Sequence, residues 1–358
     1  MFINNNLLQQ SDINFSSTFK KELREMYSLV KKSKKIVLIS HQRPDGDTSG
    51  SAMALAHVLE RFGKTVTLFD TDPLPTEFQF TEKALEYTSV FEPSEYDLAM
   101  CLDGGTYKMF GLHEEYPELF NQKIDNPKIQ NKIPLINIDH HVSNEIYGDI
   151  NFVIGTVAST TIMVSKILRA LQWEICPEIA TCLQMGLYTD TGSLLHSNAT
   201  AETFAESGFL LKKGSDLKAI SKNIFQTKSI EKLKLWGRIL SRISQNKEGV
   251  ASSFVTHFDF QQTKAGLDDL TGVVDYLNAV PKSLYSILLT ERKDGKVKGS
   301  MRTLRDDVDL TKISKTFDGG GHKKASGFAI KGKLKTDCEW RIENSEGYPE
   351  NFRSVSMV

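Results

Sequence analysis

Cysteine is scarce in this chain and never paired in spacing. Cys101, Cys176, Cys182 and Cys338 are the four in 358 residues, and none stands in a Cys-x-x-Cys step. This argues against a disulfide framework or a zinc knuckle and favours a reducing cytoplasm. Long apolar runs are also missing: none approaches the ~18 residues of a membrane span. The opening MFINNNLLQQSDINF has no apolar core of the kind a secretory signal carries, so the expectation is a protein that neither crosses nor enters a membrane. Net charge is nearly absent as well. Lys+Arg 44 against Asp+Glu 45 leaves −1, which gives no overall attraction to nucleic acid or to a membrane surface. There is no internal repeat and no low-complexity tract.

What is present is ordinary globular material, 40% hydrophobic and 25% charged, long enough for two domains with separate cores. The apolar runs KIVLIS (35–40), TVTLFD (65–70), DLAMCLD (97–103) and PLINID (134–139) alternate with helical patterns, as a parallel α/β sheet requires. Between the first two, Thr48 or Ser49 is placed to cap a helix whose apolar face runs through Met53, Leu55, Ala56 and Leu59, and Gly63 is placed to end it. Further helices are expected around 158–172 and 177–189. From 200 to 244 the pattern is wholly helical with lysine-rich faces. A strand (VASSFVTH), a helix (LDDLTGVVDYLNAV), two strands joined by the Asp-Gly of KDGK, and a helix near 309–317 follow. The expected architecture is α/β: an N-terminal extension (1–17), a doubly wound parallel-sheet domain (18–197), a helical connector (198–247) and a smaller α/β domain with a mixed sheet (248–358). The last stretch, 333–358, is weakly patterned.

Three of the four strands end in acids or histidines. His41, Asp45 and Asp47 follow the first in HQRPDGD, Asp103 follows the third, and Asp139, His140 and His141 close the fourth. The C-terminal edge of an open parallel sheet is where ligands bind. Asp190, in LYTDTGS, follows a helix that could aim it into the same crevice. Two carboxylates about 4 Å apart repel by roughly 4 kcal/mol at an effective dielectric of 20, so four converging aspartates call for cations or strongly raised pKa values. Mixed carboxylate and imidazole ligation suits Mn²⁺, Mg²⁺, iron or zinc better than Ca²⁺. Two such ions, about 3.5 to 4 Å apart, would acidify a water to near neutrality, the arrangement that hydrolyses phosphate esters. His57, His113 and His257 read as ordinary surface or core residues.

HQRPDGD, CLDGG, IDHH and LYTDTGS, in that order, resemble the four metal-binding motifs of the DHH phosphoesterase superfamily. GGGHKKASGF resembles the signature of its usual DHH-associated C-terminal domain. Within the superfamily, the HxRPDGD form, the length and the ending resemble the nano-RNase and pAp phosphatase group. The resemblance implies His41, Asp45 and Asp103 on one Mn²⁺, with Mg²⁺ as the substitute, and Asp47, Asp103, His140 and Asp190 on the other. It further implies His141 near the scissile phosphate and Asp139 behind a ligand imidazole. Gly104-Gly105-Thr106 after Asp103 departs from the family, which more often has a small hydroxyl-bearing or bulkier residue there.

Residues 281–330 hold eleven Lys/Arg and six Asp/Glu, a basic excess suited to a surface that meets phosphate. Gly319, Gly320 and Gly321 give backbone freedom for close approach to an anion, with His322 and Lys323 as further donors. Arg302, beside Ser300 on the preceding strand, offers a fork that matches phosphate. The function implied is hydrolysis of short RNA oligonucleotides to mononucleotides and removal of the 3'-phosphate of 3'-phosphoadenosine 5'-phosphate (pAp), in a cleft between lobes that the connector lets close. The alternatives are a phosphodiesterase of linear or cyclic dinucleotides (pApA, pGpG, c-di-AMP) and, more distantly, a silent nucleotide-binding regulator. Short RNA, dinucleotides and pAp are the expected partners, and a homodimer is compatible with them.

Overall fold

Each apolar run singled out in the first half folds as a strand, and each strand stops where charge or turn residues begin. The computed structural model describes residues 5–120, 133–225 and 228–335, in two compact units that divide at Thr227 and Lys228. Cys338 and nearly all of 333–358 lie outside the described residues. In chain order the first unit holds α1 (Asn5–Thr18), α2 (Lys20–Lys32), β1 (Lys35–Ile39), α3 (Gly46–Arg61), β2 (Thr65–Phe69), β3 (Tyr87–Thr88), β4 (Leu98–Leu102), β5 (Leu135–Asp139), β6 (Ile150–Val153), α4 (Thr160–Ala170), α5 (Pro177–Asp190), α6 (Ala201–Lys212) and α7 (Leu217–Phe225).

The strands form one parallel sheet in the order β3-β2-β1-β4-β5-β6. The order reverses between β1 and β4, so the crevice of a doubly wound sheet opens at their C-terminal ends. Ile36, Val37, Leu38 and Ile39 are all fully buried, which explains why β1 reads as an unbroken apolar run rather than an alternating one. Ile36 and Leu38 face a core built with α3, α4 and α5. Val37 and Ile39 face the other way, onto Phe69, Phe91, Phe110, Phe120 and Tyr147. These aromatics come mainly from irregular segments and short 3-10 turns, so among the described residues loops rather than a second row of helices cover that face.

Within the stretch expected as a connector, α6 and α7 pack on α5 in the first unit. The expected N-terminal extension is largely α1, and it is docked. Phe15 is buried, with ring centroids 4.9 Å from Phe19 and 6.5 Å from Phe152. Asp12 accepts two bonds from the Arg169 guanidinium, at 2.9 and 2.8 Å. The same guanidinium donates to the fully buried Glu206 carboxylate at 2.6 and 2.9 Å.

The second unit holds α8 (Ile230–Ser241), β7 (Ser244–Gln245), β8 (Val250–Val255), α9 (His257–Thr263), α10 (Val273–Leu277), β9 (Tyr285–Glu291), β10 (Lys296–Arg302), α11 (Leu310–Lys315), β11 (Gly320–His322) and β12 (Ala325–Lys331). Its sheet runs β11-β12-β10-β9-β8-β7. β8 and β9 are parallel and the other pairs antiparallel, which makes the sheet mixed. The Asp294-Gly295 turn joins β9 to β10 as expected, with Gly295 at φ +74°. The helix expected over LDDLTGVVDYLNAV is shorter, because Gly272 at φ +92° breaks the run and α10 begins only at Val273. Trp236 packs against this break and its indole N–H donates to Asp269 O at 2.7 Å.

The ion pair under α1 gives a stability prediction. Arg169→Met leaves Glu206 buried without its cation, a loss of about 3 to 5 kcal/mol, read as a lowered urea midpoint. A change under about 1 kcal/mol would show that the pair behaves like a surface one.

Candidate metal centre

The local folding of HQRPDGD explains how acids come to lie dry at a strand end. Asp45, rather than Thr48 or Ser49, caps α3: its Oδ1 accepts from the N–H of Asp47 at 2.9 Å and of Thr48 at 3.1 Å. A carboxylate at this position also meets the positive end of the helix dipole. Thr48 instead donates its hydroxyl to Leu102 O on β4 at 2.9 Å, tying the helix start to the neighbouring strand. Asp47 is fully buried in the first turn of α3. Its Oδ2 accepts from Thr160 N at 2.6 Å, and its Oδ1 from Thr161 N and the Thr161 hydroxyl, both at 2.9 Å. The start of α4 therefore serves as an anion site for Asp47. Asp103 follows β4 at φ +63°, a left-handed conformation that aspartate tolerates better than most residues and that turns the chain away at once. Asp190 is the last residue of α5.

These side chains converge. His41 Nε2 lies 3.5 Å from Asp103 Oδ2 and 3.7 Å from Asp45 Oδ1. His140 Nε2 lies 3.5 Å from Asp103 Oδ1, 3.8 Å from Asp190 Oδ2 and 3.9 Å from Asp47 Oδ2. Such separations are long for hydrogen bonds, but they suit donor atoms that each sit ~2.0 to 2.2 Å from a shared ion. The two oxygens of Asp103 face different imidazoles, one each. In both His41 and His140 the Nδ1 meets a backbone carbonyl, Gln42 O at 3.0 Å and Val157 O at 3.1 Å. Donation from Nδ1 fixes the tautomer that turns a Nε2 lone pair inward, as a metal ligand requires. Three groups emerge whose donor atoms all lie within 4.8 Å of one another: His41, Asp45 and Asp103; Asp47, His140 and Asp190; and Asp103, His140 and His141. The donor set therefore fits two divalent ions.

Burial, with the charges of Asp103 and Asp190 beside it, pushes the Asp47 carboxyl well above the usual range. Asp190 is pushed up to about 8, first by burial and then by Asp103 and Asp45. Burial opposes charge on His41 too, but the Asp103 and Asp45 carboxylates prevail and raise it to about 11. Protons here balance charge that cations would otherwise balance.

Asp139 and His141 form a pair of their own. His141 Nδ1 donates to Asp139 Oδ1 at 2.7 Å, and this bond raises the imidazole to about 9. Asp139 thus orients His141, while the Val157 carbonyl orients His140. Asn144 donates to Asp139 Oδ2 at 2.6 Å and fixes the pair. Thr160, Thr161 and Asn144 were absent from the sequence reading. The signal for the threonines was Ser-Thr-Thr at a helix start, with Ser159 as the cap. The second strand, left out of the three above, is followed by an acid as well, Asp70, but it belongs to none of the three groups; burial raises it to about 7.

In the second unit, Ser300 and Arg302 stand two apart on β10, so they share a face. With Arg292 and Lys298 they line a cavity of about 260 Å³ whose apolar wall includes Leu270 and Leu288. Ser300 stands in register with Gly327 and Gly320, and Arg302 with Ala325 and His322, across three strands. Gly319 donates its N–H to Ser314 O at 2.8 Å, and a Cβ on it would stand 2.7 Å from that of Phe328. This glycine is therefore needed for close packing. Lys323 is exposed.

The profile of the DHH family N-terminal domain matches residues 35–187, and that of the DHHA1 domain matches 248–339. The bifunctional oligoribonuclease and PAP phosphatase NrnA of Thermus thermophilus is 29% identical over 297 residues, 83% of this chain and 84% of that protein. The protein of the same name from Bacillus subtilis is 24% identical, over 82% of this chain and 89% of its own length. Among solved structures, an exopolyphosphatase-related protein from Bacteroides fragilis superposes with a TM-score of 0.78 at 24% identity, covering 88% of this chain and 92% of that one, so the two share a fold.

The raised groups fix how stability depends on pH once metal is stripped. A carboxyl raised to about 8 favours the folded state at low pH, and this contribution fades between about pH 4 and pH 8. A histidine raised to about 9 contributes fully below about pH 6.5 and loses that contribution up to about 9. Both act in one direction. EDTA-treated protein is expected to unfold at lower temperature at pH 8 than at pH 6, and added Mn²⁺ to raise Tm more at pH 8. An equal Mn²⁺ effect at both values would contradict the assignment.

Proposed function

The chain belongs to the DHH family, and on that premise we propose that it is a metal-dependent phosphoesterase that hydrolyses short oligoribonucleotides to mononucleotides and removes the 3'-phosphate of pAp. The observation that carries the reading is the Asp103 carboxylate set between two inward-turned imidazoles, His41 and His140. His41, Asp45 and Asp103 would hold one divalent ion, and Asp47, Asp103, His140 and Asp190 the other, with Mn²⁺ as the first choice and Mg²⁺ as the second. When bound, such ions supply a water acidified to near neutrality and positive charge for the phosphoryl oxygens.

The chain's own residues supply the rest. The α3 and α4 N–H groups hold Asp45 and Asp47 in place, so the ligand geometry exists before substrate arrives. His141, held by Asp139 through Nδ1, keeps its other ring nitrogen for an oxygen of the reacting phosphate. Its side chain is 40% exposed, enough to meet a substrate. Arg302 and Ser300, with Gly319, Gly320, Gly321, His322 and Lys323 beside them in sequence or register, bind the phosphate at the substrate's far end. The buried free thiols Cys101, Cys176 and Cys182 fit a cytoplasmic enzyme.

Asp103→Asn should reduce turnover of a five-nucleotide RNA with Mn²⁺ by at least about a thousandfold, with an unchanged circular dichroism spectrum; near-normal turnover would remove the two-ion assignment. Arg302→Ala should raise KM about tenfold or more with Mn²⁺ affinity unchanged, and an unaltered KM would count against the phosphate clamp. Assays on pentanucleotide, pAp, pApA and a cyclic dinucleotide, side by side, separate this activity from dinucleotide-specific hydrolysis.

A further inference from the structure

We propose that Arg43 and Lys108 form a phosphate site at the rim of the metal centre, which takes the phosphate one nucleotide along an RNA chain from the one being hydrolysed. Left-handed backbone at residues other than glycine gathers around the metal ligands: Arg43, Asp103, Ser193 and Leu194, at φ +57°, +63°, +63° and +66°, each is a ligand or lies within four positions of one. At Asp103 the strain serves a ligand. At Arg43 it has no such purpose, and Pro44, next in the chain, narrows the backbone choice further. Such conformations persist only where the surroundings impose them, and they collect at binding sites. Here the neighbouring loops impose it. Arg43 N–H donates to Asp72 Oδ2 at 2.8 Å, in the loop after β2, and Gln42 N–H to Met109 O at 2.8 Å, in the turn after β4. Gly111, at φ +69°, lets the Gln42 amide lie against that turn, since a Cβ on it would stand 2.7 Å from Nε2.

What this strained corner presents is positive charge. Arg43 and Lys108 are exposed and flank the bond between Gln42 and Met109. Neither makes an ion pair among the described residues. The acids around them are taken: Asp72 by the Arg43 N–H, Asp45 by the start of α3 and by His41, and Glu145 by the Thr106 hydroxyl at 2.7 Å. Two cations without partners call for an anion from outside, and a guanidinium fork with an ammonium suits a phosphate. Their place identifies which phosphate. Two residues of chain span at most ~7 Å, so the Cα of Arg43 lies no farther than that from the Cα of His41 or of Asp45. The ions take the reacting phosphate, and the arginine beside their ligands takes its neighbour. pAp carries one phosphate for the ions and one for the Arg302 clamp, which leaves none for this site, whereas an oligonucleotide has more. The pair therefore favours chains of several nucleotides without changing the chemistry.

This assignment rests on the oligoribonuclease reading, and its test separates the two. In the Arg43→Asn/Lys108→Gln variant asparagine accepts the left-handed backbone, so Tm and its rise with Mn²⁺ should match wild type. KM for a five-nucleotide RNA should rise about tenfold, while KM and kcat for pAp stay within about twofold. A pentanucleotide KM within about twofold of wild type would overturn the site, and so would an equal loss on pAp, which would place both side chains on the reacting phosphate. Should the double variant lose its response to Mn²⁺, Lys108→Gln, outside the ligand loop, decides alone: a pentanucleotide KM raised more than about twofold with pAp unchanged supports the site, and any smaller effect overturns it. If the wild-type protein cleaves no RNA, the oligoribonuclease reading falls by itself. The site is then decided by fluorescence anisotropy with a labelled five-nucleotide RNA in Mn²⁺: about tenfold weaker binding by the double variant supports it, and equal binding, or none by either protein, overturns it.

Discussion

The first unit is organised by the cost of keeping aspartates out of water. Asp47 and Asp103 are buried, and a buried carboxylate without partners is among the least tolerable groups in a protein interior. The fold answers with donors fixed by secondary structure. Asp45 takes the first N–H groups of α3, Asp47 those of α4, and Asp103 the Thr160 hydroxyl at 2.9 Å. These bonds satisfy the outward lone pairs. The negative charge left over points into one small volume, where Nε2 of His41 and His140 also points. The centre is thus built from the outside in, and its fitness for cations follows from which lone pairs the scaffold has already occupied.

Much of this was legible because it is local. A strand that ends in HQRPDGD or IDHH delivers its acids to the sheet edge whatever else happens, since parallel strands place all their C-termini together. The two Thr residues of α4 were not legible in the same way. Their contact with Asp47 joins residues more than a hundred positions apart, and a Ser-Thr-Thr sequence is also an ordinary helix start. Asp45 shows the opposite limit. The cap was expected at Thr48 or Ser49 and Asp45 among the ligands, yet its Oδ1 both caps α3 and faces His41.

The second unit gave up less to sequence reading. The Asp-Gly hairpin was clear because its turn chemistry is short-range. The split at Gly272 depends on Trp236 packing from another helix, and the path of the glycine run 319–321 depends on Phe328 and Ser326 of β12. The short edge strands β3, β7 and β11, the strand β6 and the mostly exposed β12 were missed for a related reason. Few residues, partly exposed, carry too little periodicity to announce a strand.

The contact between α3 and α5 is tightest against backbone or fixed carboxylate at two of its glycines. A methyl group on Gly50 would run into the Cys182 carbonyl, and one on Gly186 would stand 2.8 Å from Asp47 Oδ1. α5 carries Asp190 at its end, four residues beyond Gly186. The smallest possible enlargement at either glycine would therefore act as a wedge, levering Asp190 off its neighbours while the sheet beneath stayed whole. Drift at these two positions would be felt first in the stoichiometry of bound ions, and only later in whether the protein folds.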